Sequence, residues 1–127
     1  MFAKFNPNPC GKAVGDCAVR AVAKALDITW REAYCELMIE GYTVCDMPSA
    51  NAVWGGLLRR HGFRRMNIES EGCITAEDFC EAHPKGSYVV AMYSHVAAII
   101  DGVLYDAWDS GNETVLYAWV KGEKDAV

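Results

Sequence analysis

The feature that most constrains this chain is a change of character at Gly86. Before it, apolar residues recur at helical spacing; after it, short β-branched and aromatic runs alternate with turn signals. Segments 87–93, 95–100, 103–108 and 114–120 read as strands, and Asp101-Gly102 between two of them is a two-residue type I′ hairpin signal. Helices first and an antiparallel meander second predict an α+β fold, with the helices packed on one side of the sheet.

The helical half divides cleanly. Val19, Val22, Ala23 and Leu26 follow a helical period from Asp16 or Cys17 onward. Thr29 with Glu32 forms a capping box for a second helix, which carries Tyr34, Leu37 and Met38 and is expected to stop at Gly41. Pro48-Ser49 opens a third helix with Val53, Trp54, Leu57 and Leu58, ended by Gly62. Residues 63–68 read as a strand. Thr75 with Asp78 caps a short helix to Ala82, closed by Pro84. Residues 1–15, rich in Pro, Asn and Gly, form an arm. No repeat or linker divides the chain, so a single domain over 1–127 is expected.

Composition narrows the function classes. Apolar residues make up 52% and charged residues 23%, which is globular, and no apolar run has the length of a membrane span. A net charge of −5 argues against nucleic acid or an anionic membrane as partner. The one basic cluster, Arg59-Arg60 with Arg64-Arg65, flanks a helix end, where cations are locally favoured. The N-terminus lacks a hydrophobic signal region, which predicts a cytoplasmic protein with reduced thiols for its six cysteines. Cys10, Cys17, Cys35, Cys45, Cys73 and Cys80 contain no CxxC pair, and Cys73, Cys80 and His83 fit no standard zinc spacing, so neither metal nor cofactor is expected. Cys35 and Cys80 read as small hydrophobes on helix faces.

Cys17 differs from the other cysteines. It stands where Gly15-Asp16 runs into the first helix, at the positive end of the helix dipole and beside N–H groups without intrahelical partners. That setting favours thiolate. His95 opens a strand far downstream, and a carboxylate follows on the next strand. A thiol, an imidazole and an acid are the parts of a nucleophilic cysteine site, with the Cys17 N–H as an oxyanion donor. His61, at a helix end, and His83, before Pro84, are weaker candidates for the base.

Strand parity chooses the acid. With Asp101-Gly102 as the turn, Ile100 faces Val103, Ala97 faces Asp106 and His95 faces Trp108, so Asp106 shares the face of His95. A bulge would slip the register by one and put Asp109 there instead. Asp106 is therefore the expected third member and Asp109 the alternative, more simply accounted for by the Asp109-Ser110-Gly111-Asn112 turn. Asp101 reads as a turn residue alone.

Cys17 in Gly-Asp-Cys, His95 in Ser-His-Val and Asp106 in Tyr-Asp-Ala-Trp-Asp resemble the papain-like cysteine peptidase superfamily, above all its small bacterial and phage-encoded members. The resemblance spans roughly residues 8–119. It implies a papain-like fold, an acyl-enzyme on Cys17, His95 as general base and Asp106 orienting it, with a peptide or protein as substrate. Two features depart from the family. The Cys-Gly-Ser-Cys-Trp signature is absent, and Gly11 stands where an oxyanion glutamine is expected, leaving Asn6 or the nearer Asn8 as side-chain donor. The arm and residues 41–47 are the expected cleft walls. The rival reading is a catalytically silent binding module on the same fold, such as a phage-encoded inhibitor of a host protein, with Trp30, Tyr42 or Trp119 as exposed anchors.

Overall fold

The computed structural model describes residues 1–68 and 74–122. Cys73 therefore lies outside the described residues. The architecture is α+β, with four helices and a six-stranded sheet among the described residues. In chain order these are β1 (Phe2–Lys4), α1 (Cys17–Leu26), α2 (Trp30–Val44), α3 (Asn51–Arg60), β2 (Phe63–Met66), α4 (Ala76–Ala82), β3 (Ser87–Met92), β4 (His95–Ile100), β5 (Val103–Asp106) and β6 (Tyr117–Lys121).

The hairpin at the heart of the sheet follows from its turn. Asp101 and Gly102 both take positive φ, +49° and +76°, as a type I′ turn requires. The turn sets Ile100 opposite Val103, Ile99 opposite Leu104 and Ala98 opposite Tyr105, the register expected from the sequence. Asp101 does more than turn the chain: its carboxylate accepts the Gly86 N–H at 2.9 Å, and its own N–H donates to the Gly86 carbonyl.

The sheet is not a simple meander. Its order is β1-β5-β4-β3-β6-β2, so β6 returns to the far side of β3 and β2 joins beyond it. The arm also opens as a strand, because β1 pairs in parallel with β5, setting Lys4 opposite Asp106. Nor do the helices share one side. Val89, Ala91, Val96 and Trp119 pack with α1, α2 and α3, whereas Val90, Met92, Ala97, Ile99 and Leu104 pack with Phe79 and Cys80 of α4. The run Val89-Val90-Ala91-Met92 is apolar at both parities, and such a strand has to be covered on both faces.

Both expected capping boxes form, Thr29 with Glu32 and Thr75 with Asp78. Ala50 caps α3, so Pro48 and Ser49 lie in the turn before it. The helix α2 runs past Gly41 to Val44, and Cys45 ends it in the left-handed conformation. Gly41 is there for a different reason: the chain folds back over it, and a Cβ would meet the Asp46 carbonyl oxygen at 2.7 Å. Cys80 is buried as expected, whereas Cys35 is exposed because it falls on the outer face of α2. Trp119, expected on the surface, is only 5% exposed and lies under the Arg59 guanidinium. Arg60 pairs with Glu40 at 3.0 Å and Arg65 covers the Tyr117 ring, so three of the four clustered arginines have partners within the fold. No helix among the described residues is long and apolar enough to cross a membrane.

A Gly-to-Ala exchange inside a helix ordinarily adds about 1 kcal/mol of stability. At Gly41 the backbone clash reverses the sign, and Gly41→Ala is expected to lower the unfolding free energy by about 1–2 kcal/mol. Urea unfolding of the two proteins measures it, and an unchanged or raised midpoint would mean that the return of residues 46–48 over α2 is misplaced.

Candidate active site

Small residues bring the site together. Ala18, Ala21 and Ala25 are buried along α1, and with no bulk to hold it away the helix packs onto β4. Cys17 is its first residue and half-buried; His95 is the first residue of β4 and also half-buried. The His95 ring and the Val96 N–H are the polar neighbours that act on the thiol. Asp106, the last residue of β5, is 1% exposed. Its Oδ2 lies 2.6 Å from His95 Nε2, which leaves Nδ1 as the nitrogen for Cys17. The imidazole thus sits between a thiol and a buried carboxylate, and the indole of Trp108 lies against it with ring centres 4.9 Å apart.

The electrostatics follow from these contacts. Burial pulls the His95 pKa down, but the hydrogen bonds and charges of Asp106 and Cys17 outweigh it and raise it to about 9. Burial pushes the Cys17 thiol up, yet the His95 bond, the Val96 N–H and the charges of His95 and Arg20 together bring it below its ordinary value. Burial likewise works against ionised Asp106, and the bonds from His95 and Ser110 hold its carboxyl below the usual range. Each shift favours the charged form: thiolate at Cys17, imidazolium at His95 and carboxylate at Asp106.

Four residues that sequence reasoning did not place in this site complete the arrangement, among them Trp30, expected as an exposed anchor but half-buried here. Arg20 Nη2 lies 3.2 Å from Asp106 Oδ1, and its Nη1 meets Asp16 Oδ1. Asp16 sits at the N-cap of α1 without capping it, because its carboxylate is taken by Arg20 and by Trp30 Nε1 at 2.8 Å. Ser110 Oγ donates to Asp106 Oδ2 at 2.6 Å. The available signal was Asp16 and Arg20 one turn apart at the start of a helix that, Lys24 aside, is otherwise apolar.

Asp109 is not brought to His95. Its Oδ1 accepts the Gly111 N–H at 3.0 Å, which makes it the turn residue. Asn8 is turned onto its own loop, where Oδ1 accepts the Cys10 N–H at 2.9 Å, and Asn6 donates to the Lys12 carbonyl. The Cys17 N–H belongs to the first turn of α1, whose N–H groups have no intrahelical acceptor. Beside Cys17 runs a largely apolar groove walled by Val14, Trp30, Tyr34, Leu37 and Pro48. The arm contributes Val14 and Gly15 to it, whereas residues 41–47 border a separate hollow. His61 caps α3, and His83 packs on the rings of Phe79 and Tyr88, so neither approaches Cys17. Among the described residues, no group of three His, Cys, Asp or Glu side chains is placed to hold a metal ion.

Comparison with known proteins gave no match to a family model, to a curated protein or to a solved structure.

Removing the Asp106 charge while keeping its shape is expected to lower the His95 pKa and with it the thiolate fraction of Cys17. Asp106→Asn should slow alkylation of Cys17 near pH 7 by about tenfold or more, and Asp109→Asn by less than about twofold. Rates of iodoacetamide labelling read by intact mass distinguish them, and the reverse order would transfer the orienting role to Asp109.

Proposed function

We propose that the chain is a papain-like cysteine hydrolase, a thiol-dependent peptidase or amidase that acts through an acyl-enzyme on Cys17. The observation that carries this reading is the imidazole of His95, bound to a buried carboxylate at 2.6 Å and facing a helix-start thiol whose ionisation it favours.

The chemistry runs from those contacts. The Cys17 thiolate attacks the carbonyl carbon, and the negative charge moves to the carbonyl oxygen, where the Cys17 N–H donates to it. His95, as imidazolium, gives its proton to the departing amine while the C–N bond breaks and a thioester remains on Cys17. Neutral His95 then takes a proton from water, whose oxygen attacks the thioester and releases the acid and the thiolate. Asp106 keeps Nε2 protonated and Nδ1 turned to sulfur, and stabilises the imidazolium in each half-reaction. The apolar groove favours a peptide or protein substrate with an apolar side chain close to the scissile bond. Net charge of −5 adds mild steering toward neutral or basic substrates.

The rival reading, a binding module without turnover, draws on one feature. Ile39, Tyr42 and Met47, on α2 and just beyond it, are exposed, Tyr42 to 88%. Both readings allow that surface to dock a protein, and only the first requires a covalent intermediate.

The productive ion pair exists only where Cys17 is deprotonated and His95 is not. Hydrolysis is therefore expected to rise with pH through the lowered Cys17 value, level off, and fall through about pH 9 as His95 loses its proton. Cys17→Ala should abolish turnover and the mass adduct formed with an electrophilic peptide. A wild-type protein that forms no adduct with electrophilic peptides and cleaves none of a diverse peptide pool would leave the binding module as the better reading.

A further inference from the structure

The helix that carries the thiol makes a second, separate attachment to the hairpin that carries His95 and Asp106. Cys17 and Arg20 are three residues apart on α1 and so share one face of it, a turn apart. Their partners are on adjacent strands: Cys17 meets His95 at the start of β4, and Arg20 meets Asp106 at the end of β5. The geometry points to Arg20, with Asp16 behind it, as the positioning residue of this site, one that docks α1 against the hairpin at the separation the Cys17–His95 pair needs and supplies the buried cation that balances Asp106.

Burial makes this more than a structural ion pair. The Arg20 side chain is 8% exposed and that of Asp106 0%. The guanidinium spends Nη1 on Asp16 and Nη2 on Asp106, while its buried Nε has no hydrogen-bond partner among the described residues. A planar fork fits two carboxylates held on two different elements, which a lysine ammonium on a flexible stem matches poorly. A buried ion pair is a weak source of stability compared with an apolar packing of similar volume, so its presence here is better accounted for by what it positions. The charged groups alternate in sign along the series Asp16, Arg20, Asp106, His95, Cys17. Ser110 adds a neutral donor to Asp106, and Lys24, the next cation on α1, lies instead over the rings of Tyr105 and Phe5.

That alternation makes the two ends of the Asp16–Arg20 pair act with opposite sign on the thiol. Arg20→Met removes the cation and leaves both carboxylates, which disfavours thiolate. Asp16→Asn keeps an acceptor for Trp30 but frees the Arg20 charge from one of its two anions, which favours thiolate. Loss of structure alone would move both variants the same way, toward an ordinary thiol.

The test is the pH dependence of Cys17 labelling by iodoacetamide in the full chain, with site occupancy read by mass spectrometry and folding checked by circular dichroism. The midpoint for Arg20→Met should move up by about one unit, so that labelling below it slows about tenfold, and Arg20→Lys should recover part of that shift. The midpoint for Asp16→Asn should move down. Shifts of both in the same direction, or of neither, overturn the inference. If Arg20→Met does not fold, Arg20→Lys and Asp16→Asn decide together: a raised midpoint in the first with a lowered one in the second supports the positioning role, and shifts of both in one direction, or no shift in Arg20→Lys, overturn it. The inference rests on the reading of Cys17 as the reactive thiol and not on peptide hydrolysis. An ordinary thiol profile in the wild-type protein overturns both, whereas a depressed, Arg20-dependent profile without turnover of any peptide removes only the hydrolase.

Discussion

A carboxylate withdrawn from water has to be partnered on all sides, and Asp106 meets that demand by drawing on most of the fold. Its Oδ1 takes the Arg20 guanidinium and the Ala107 N–H, and its Oδ2 takes His95 Nε2 and the Ser110 hydroxyl. These donors come from α1, from β4, from the loop after β5 and from its own turn. An isolated buried carboxylate costs several kcal/mol, so displacement of any one of these segments is resisted by the others. The strand beneath is held in turn from outside: β1 sets Lys4 beside Asp106, and the Phe5 N–H donates to the Asp106 carbonyl at 2.7 Å. The N-terminal arm is thus part of what holds the carboxylate in place, and not merely a lead-in to the first helix.

The apolar core decides where this polar cluster sits. Sheet faces are covered by α1, α2 and α3 on one side and by α4 on the other, and the cluster lies where α1 begins and the β4–β5 hairpin opens, at an edge of the first of those layers. Packing sets the approach of α1 through its alanines, and the ion pairs then select one rotation and one height of the helix on the sheet. Dispersion and apolar burial supply most of the stability, while the charged contacts supply geometry.

What could be read from the sequence was what local chemistry dictates. Asp101-Gly102 fixes the hairpin register on its own, because only residues that tolerate positive φ suit that turn, and the register in turn selects Asp106 over Asp109 by parity. The capping boxes at Thr29 and Thr75 are equally local. Illegible features depended on distant partners. Phe2-Ala3-Lys4 carries no strand signal strong enough to announce a parallel pairing with residues about a hundred positions away. Gly41 read as a helix stop because the chain that folds back over it could not be foreseen. Arg20 carries no local signal of burial, which makes sense only beside a carboxylate 86 residues further on.

Cys17 and Cys80 show why position on a helix is not enough to favour a thiolate. For each, burial is the largest influence, and for each it opposes ionisation. Cys80 lies in an apolar layer where the nearby Glu77 and Glu81 add to that opposition, and its thiol is held above its ordinary value. Cys17 meets an imidazolium, a backbone N–H and a guanidinium, and its thiol falls below. The helix N-terminus picks Cys17 out of six cysteines, but what turns burial from an obstacle into a low-dielectric setting for an ion pair is the far side of the contact. Those groups come from β4 and from one turn further along α1, so the lowered pKa of the thiol belongs to the packing of helix on hairpin and would be lost with it.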